Sequence, residues 1–336
     1  MLRTYTPIPH AIFTLHKYLE HLVCQVWCNA GNEHTCEQLI EAAFEPAYKK
    51  YDWLKVAIDA VYEKCKALTD KDRADIREAF YVNNRIEDIC EGRVALIPLS
   101  ALPELVAKDM TPLLIRFYEE LLGRAAIAGT GNKLDYYNQL IGTNKFTTCP
   151  CCGLSLIETA ESHYVEDNDH YFNKADYPFA VVNFFNLPPL CGKCNKKCKG
   201  TKNPSENGRV SFYPFNGTRP NIELTITIAD SDTLDYRDIK PEEIALSFNN
   251  DADKVATWDW LFRIKERYNE QLRPLSKTEL RLMKKKFNNN KGKTYEALLD
   301  EVIDEYDDEK YEDRKFLKIA LLKEIKTKPE WLAVYQ

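Results

Sequence analysis

Two Cys-x-x-Cys pairs, Cys149 with Cys152 and Cys191 with Cys194, constrain this chain more than any other feature; 38 residues lie between them. A two-residue gap lets two thiolates face one ion, and Gly153 directly after the first pair suits the tight turn of a zinc knuckle. Four thiolates at about 2.3 Å would close a tetrahedral structural zinc site. The same cysteines fit two disulfides or four buried thiols. Nothing at the N-terminus resembles a secretory signal, which points to a reducing, cytoplasmic setting and favours the metal. Cys151 and Cys198 sit beside the ligands and can substitute for them, but neither completes a Cys-x-x-Cys pair.

The segment between the pairs carries Asp169-His170, then Asn186-Leu187 sixteen residues after His170, and Asn195 directly follows Cys194. This order resembles the HNH endonucleases, whose ββα-metal site reads as Asp-His, Asn-Leu, then Cys-x-x-Cys followed by His or Asn. Tyr177-Pro178, Phe179-Ala180-Val181, the run from Asn195 to Gly200, Arg209 and Phe212-Tyr213-Pro214-Phe215 are similar to one bacterial branch of that family. The resemblance covers about residues 145 to 230 and extends weakly to Thr257–Phe262 and Glu266-Arg267-Tyr268. It implies that His170 is the general base, that Asp169 and Asn195 hold one divalent metal, Mg²⁺ or Mn²⁺, and that Asn186 orients the His-bearing loop. The chain departs from the family in three places. Asn195 stands where many members have His, the turn to Gly200 is one residue longer, and Asn173 replaces a common Pro.

The residue types suit phosphodiester hydrolysis on their own chemistry. That reaction needs an activated water, a group to hold the phosphate in line, and charge to stabilise the departing oxygen. A neutral imidazole is available near pH 7 to take a proton from water. Adjacent side chains on a strand point to opposite faces, so Asp169 and His170 can serve metal and water separately. Asn195 offers a neutral carbonyl oxygen, an acceptable ligand for a hard cation. Read singly, an Asp-His pair is a solvated surface pair and an Asn before Leu is a loop residue. His163, seven residues before His170, is a reserve candidate that fits packing or exposure better.

A net charge of −6 works against approach to a polyanion, so the distribution of lysines matters more than the sum. Lys193, Lys196, Lys197 and Lys199 crowd the second pair as candidate nucleic-acid contacts, with Lys202 and Arg209 beyond them. A second basic stretch runs from Arg263 to Lys293, either a solvated helix face or a nucleic-acid track. Residues 296 to 313 are strongly acidic and fit an exposed helix, a mask against the basic stretch, or a partner contact.

The first 128 residues read as a helical domain. Ile12, Leu15, Leu19, Leu22, Val23 and Val26 recur at helical spacing, as do apolar residues over Leu39–Tyr48 and Asp72–Cys90. Thr111-Pro112 reads as a cap and first position of a further helix that Gly123 would close. His21, Cys24, Cys28, His34 and Cys36 are too loosely spaced for a second metal site and read as packing residues with buried thiols. Gly129, Gly131 and Lys133 do not form a phosphate loop, and residues 129–144, with Gly, Asn and Thr scattered through them, read as a linker. Residues 145–230 form the expected nuclease core with its zinc knuckles. Ile222, Leu224, Ile226 and Ile228 alternate as a half-buried strand, and 231–336 returns to helical periodicity.

The expectation is therefore α+β: a small zinc-stabilised ββα-metal core flanked by a helical N-terminal domain and a helical C-terminal tail. No apolar run approaches a membrane span. The resemblance implies a Mg²⁺-dependent endonuclease acting on DNA, or on RNA, and serving as effector of an anti-phage defence system of the Septu or retron kind, with a partner ATPase. A non-catalytic zinc-organised binding module and a standalone restriction or homing nuclease are the other readings.

Overall fold

The computed structural model describes every residue except 123, 125–128, 165, 218–221, 230–240 and 329–336. The described chain is mostly helical with one two-stranded sheet, and no described helix is long and apolar enough to cross a membrane. It divides into two compact units, each assembled from separate stretches of sequence.

The larger unit comprises Thr4–Phe146 and Glu158–Arg219. Its helices are α1 (Thr14–His21), α2 (Cys36–Leu39), α3 (Glu45–Lys50), α4 (Asp52–Cys65), α5 (Asp70–Asn83), α6 (Ile86–Cys90), α7 (Thr111–Arg116) and α8 (Lys133–Asn144). The expected apolar face is real, since Ile12, Leu15, Leu19, Leu22, Val23 and Val26 are all buried. Beyond His21 the helix widens to a π-helical stretch, Leu22–Val26, and all of that stretch but Gln25 is buried. Cys24, Cys28 and Cys36 are buried thiols, as the spacing implies. α5 opens on a reciprocal capping box in which Thr69 and Asp72 satisfy each other's backbone N–H groups, which explains a start so rich in charge.

Phe179, Val181 and Val182 belong to the same hydrophobic core as these helices. The Phe179 ring meets Phe80 at 5.5 Å, and the Asn84 amide donates to the Phe179 carbonyl. This corrects the expected order of domains along the chain. The helices of 1–128 are not a body apart from the His170 segment, because the apolar words after Tyr177 have no core of their own and bury in the helical one.

Two further expectations are corrected. Residues 129–144 are not an irregular linker, because α8 fills most of them. Asn132 caps its first turn by accepting from the Asp135 N–H, and Tyr136, Tyr137, Leu140 and Ile141 are buried. Thr111 is not a cap, because helical backbone already runs through the π-helical stretch Val106–Met110 before it. The Thr111 hydroxyl instead donates back to the Val106 carbonyl. Gly123, the expected stop, lies outside the described residues.

The smaller unit comprises Met1–Arg3, Thr147–Ile157 and Pro220–Gln336. Strand β1 (Leu224–Ile228) pairs antiparallel with β2 (Ile244–Phe248), Ile226 opposite Leu246, so the alternation in β1 is that of a half-buried strand. Helices α9 (Ala252–Phe262), α10 (Ile264–Asn289), α11 (Tyr295–Asp307) and α12 (Lys315–Lys326) follow. The acidic stretch pairs with basic side chains on both sides: Lys286 with Glu305 at 3.0 Å, Lys293 with Glu301 at 2.5 Å and Lys326 with Asp300 at 2.6 Å. Of these partners, Lys286 and Lys293 belong to the basic stretch and Lys326 to α12.

The C-terminal words that extend the family resemblance have a structural role in this unit. The Trp258 indole N–H donates to the Cys151 carbonyl at 3.0 Å, and the Tyr268 hydroxyl donates to the Cys152 carbonyl at 3.0 Å. The N-terminus adds to the same loop, with Arg3 N–H on the Pro150 carbonyl and the Arg3 guanidinium on Thr148 at 2.6 Å.

Gly153 has φ +65°, and a Cβ there would lie 2.6 Å from Leu2 and 2.8 Å from Phe316. The left-handed backbone costs a larger residue roughly 1–2 kcal/mol and overpacking roughly 1–3 kcal/mol. Gly153→Ala is therefore expected to lower the unfolding free energy by about 2 kcal/mol or more. A urea midpoint equal to that of the unmodified chain would remove this role.

The His16 ring stacks on Phe80 at 5.6 Å, and its Nδ1 has no hydrogen-bond partner among the described residues. Burial lowers its pKa from 6.5 to about 4. The fold thus favours the neutral ring, so this contribution is complete above the unfolded pKa near 6.5 and is lost as pH falls towards 4. Urea midpoints at pH 7 and pH 4 should fall less for His16→Phe than for the unmodified chain; equal falls would exclude His16 as an acid-sensitive group.

Candidate functional site

Each Cys-x-x-Cys pair sits in a turn closed by its own backbone. In the first, the Gly153 N–H returns to the Cys149 carbonyl at 2.7 Å and the Cys149 N–H to Ser155 at 2.8 Å, beside an isolated bridge between Thr148 and Leu156. The Leu154 N–H points at the Cys152 sulfur at 3.5 Å, the kind of donor that supports a thiolate. In the second, the Asn195 N–H returns to the Cys191 carbonyl at 3.0 Å and a short π-helical segment, Lys193–Lys199, follows.

The sulfurs of Cys149, Cys152, Cys191 and Cys194 all lie within 4.8 Å of one another, and all four residues are buried. Sulfurs 2.3 Å from a tetrahedral ion would be about 3.8 Å apart, so only a small contraction separates this grouping from a closed zinc site. The four can hold a metal such as zinc. Cys151 and Cys198 are buried but are not part of the group. In the purified protein, about one zinc per chain is expected by elemental analysis. Cys191→Ser should lose the metal and solubility together; a soluble, zinc-loaded Cys191→Ser protein would overturn the four-cysteine assignment.

The Asp169-His170 pair lies in irregular chain, not in a regular strand, next to an isolated bridge between Asn168 and Pro189. The expected pair of strands is reduced here to single bridges. The position is held instead by Asn186, which is fully buried. Its Oδ1 accepts from the Phe172 N–H at 2.8 Å, and its Nδ2 donates to the Phe172 carbonyl at 3.0 Å and the Ala180 carbonyl at 3.3 Å. The Asn186 carbonyl also accepts from Tyr171 N–H at 2.9 Å, and Pro188 accepts from Asp169 N–H at 3.0 Å. The backbone is therefore clamped at Asp169, Tyr171 and Phe172, on both sides of His170.

From this clamp the two side chains diverge. His170 is half-buried, its Nε2 is 3.1 Å from the Val181 carbonyl, and its ring packs edge-on against Tyr118 at 4.5 Å. A carbonyl only accepts, so Nε2 carries the proton and the neutral ring keeps its lone pair on Nδ1. Burial is the main cause that lowers the His170 pKa to about 3, with Lys174, Lys199 and Lys133 adding to it and the Val181 contact opposing. Asp169 turns the other way and is buried. Its Oδ1 is 3.1 Å from the Lys199 ammonium, while its Oδ2 is buried without a hydrogen-bond partner among the described residues. Burial raises the Asp169 pKa and Lys199 opposes the rise.

Lys199 is misplaced by the sequence reading. It is 2 % exposed, and its ammonium also donates to the His170 carbonyl at 2.8 Å, so it neutralises Asp169 and does not line a phosphate-binding rim. Lys193 and Lys197 are exposed. Lys196 is exposed but pairs with Asp167 at 2.5 Å. Asn195 is half-exposed, and its Nδ2 makes a long contact with the Asp167 carbonyl at 3.4 Å, leaving its Oδ1 as the acceptor end. His163 is exposed. Tyr118 is the neighbour that sequence reasoning missed, and no periodicity or motif marks it.

Comparison with known proteins yields no matching family model, no matching curated protein and no matching solved structure.

Proposed function

We propose that this chain is a divalent-metal-dependent endonuclease of the HNH type that hydrolyses phosphodiester bonds of DNA. The observation that carries the reading is the Asn186 clamp on Tyr171 and Phe172, beside which His170 and Asp169 have different partners, Val181 and Lys199. With Nε2 committed to Val181, the Nδ1 lone pair of His170 accepts the proton of an attacking water. The depressed pKa keeps the ring neutral at pH 7. A bound phosphodiester opposes the field of Lys133, Lys174 and Lys199 with its own negative charge, which raises the proton affinity of the ring at the point of use.

The donor set suits a hard cation. Asp169 Oδ2 is a buried carboxylate oxygen without a partner, and Asn195 has an amide oxygen to offer. These two residues would hold Mg²⁺ or Mn²⁺, which supplies positive charge against the scissile phosphate and the departing 3′ oxygen. The exposed Lys193 and Lys197 are placed in sequence to contact neighbouring phosphates.

The role as effector of an ATPase-paired anti-phage system rests on the family resemblance, and the net charge of −6 supports a chain that relies on a partner for DNA affinity. One observation favours a different reading, a zinc-organised binding module without catalysis. Lys199 already gives Asp169 a buried counter-ion, and such a pair can serve structure alone.

Plasmid and single-stranded DNA incubated with Mg²⁺ or Mn²⁺ separate the two readings. The chain should cut and EDTA should stop it, while His170→Ala should lower the rate by at least about 10³-fold without a change in the urea midpoint. Cutting that persists in His170→Ala would eliminate the proposed base. Absence of cutting by both proteins, repeated with co-purified neighbouring gene products, would favour the binding module.

A further inference from the structure

Three lysines bear on the His170 ring, and their charges are not equally committed. Lys199 is paired with Asp169 and Lys174 with Glu119. Lys133 has no carboxylate within ion-pair distance among the described residues. Its ammonium is held by the Tyr118 hydroxyl at 3.2 Å and lies 5.3 Å from the centre of the Tyr118 ring. That same ring packs on His170 at 4.5 Å.

Its position is unfavourable on local grounds. Lys133 is the first residue of α8, where the partial positive charge of a helix N-terminus disfavours a cation. It is also half-buried, so its charge is partly stripped of water, and Asp167, itself paired with Lys196, offsets that loss only from a distance. A Tyr hydroxyl and a ring face position an ammonium but do not neutralise it. Asp135, the acidic residue in the same turn, is engaged by His10 at 3.0 Å and by Gln139 at 3.0 Å. A site that holds a half-desolvated cation beside a proposed base, with every nearby carboxylate turned to another partner, is built for an anion that arrives from outside.

We propose that Lys133 binds a backbone phosphate of DNA at the His170 site, with Tyr118 as the residue that positions it. The inference rests on the nuclease reading and extends it, because the N-terminal helical half then contributes to substrate binding as well as to the core. A lysine makes a point-charge contact with phosphate and carries no sequence information, so its effect falls on affinity for any DNA sequence.

The test is binding of a 5′-fluorescein-labelled DNA duplex of about 20 base pairs in EDTA, where no cutting occurs, followed by fluorescence anisotropy across a salt series. Lys133→Met keeps the apolar stem and removes the charge. It should weaken binding roughly tenfold at low salt and reduce the slope of log affinity against log salt by about one. Lys133→Arg should restore both. A structural role for Lys133 would not change the salt slope.

Equal affinity and slope for Lys133→Met and the unmodified chain would overturn the proposal, even if His170→Ala abolishes cutting and the nuclease reading holds. Failure of the unmodified chain to bind the duplex would overturn it as well. Conversely, a reduced slope in Lys133→Met together with cutting unaffected by His170→Ala would keep the phosphate contact and remove His170 as the base.

Discussion

A buried primary amide has no water to fall back on, and Asn186 satisfies that requirement with the backbone of two separate turns. Three of its hydrogen bonds go to Phe172 and Ala180. Each buried polar group left without its partner would cost about 1–3 kcal/mol, so the amide dictates where the neighbouring chain runs. Asp169, His170 and Tyr171 lead into Phe172, so this one side chain anchors the end of the segment that carries them, and the segment needs no regular strand. The burial of Phe179, Val181 and Val182 in the helical core fixes the other end of the clamp.

Electrostatics then distinguish two sides of the same dipeptide. On one side, Asp169 is buried with a single ammonium and an unused oxygen, a carboxylate whose desolvation is only partly compensated. On the other, His170 is kept neutral by burial and by a positive field. In the proposed nuclease, a phosphodiester and its cation would act on a carboxylate whose burial Lys199 offsets only in part, next to a neutral imidazole. Structural ion-pair networks can also perturb such groups, but the Asn186 clamp gives this pair a defined geometry as well.

The four-cysteine group that can hold a metal such as zinc was legible in the sequence, as were the positions of the Asp-His pair and Asn186, because each depends on residue type and short spacing. Two Cys-x-x-Cys turns close on themselves by local hydrogen bonds, and the apolar period of α1 and the alternation of β1 are local as well. The segment before the first knuckle was not legible. Its scattered Gly, Asn and Thr suggested a linker, yet α8 forms there on one Asn cap and two buried tyrosines whose partners lie far away in sequence. Thr111-Pro112 misled for the opposite reason: a strong start signal was overridden by helix already in progress from the preceding turn.

By itself, the sequence determined the donor atoms and the turns that carry them, since metal-ligand spacing and helix capping act over a few residues. Only the tertiary structure decided which charges are spent and which are not. Lys199 sits among lysines that look alike in sequence, but burial forces it onto Asp169. Lys133 looked like part of a linker, but folding brings it against Tyr118 and so beside His170, with no carboxylate in ion-pair distance among the described residues. The strength of a charge depends on the water removed from it and on the partners within a few ångströms, and both are set by residues distant along the chain.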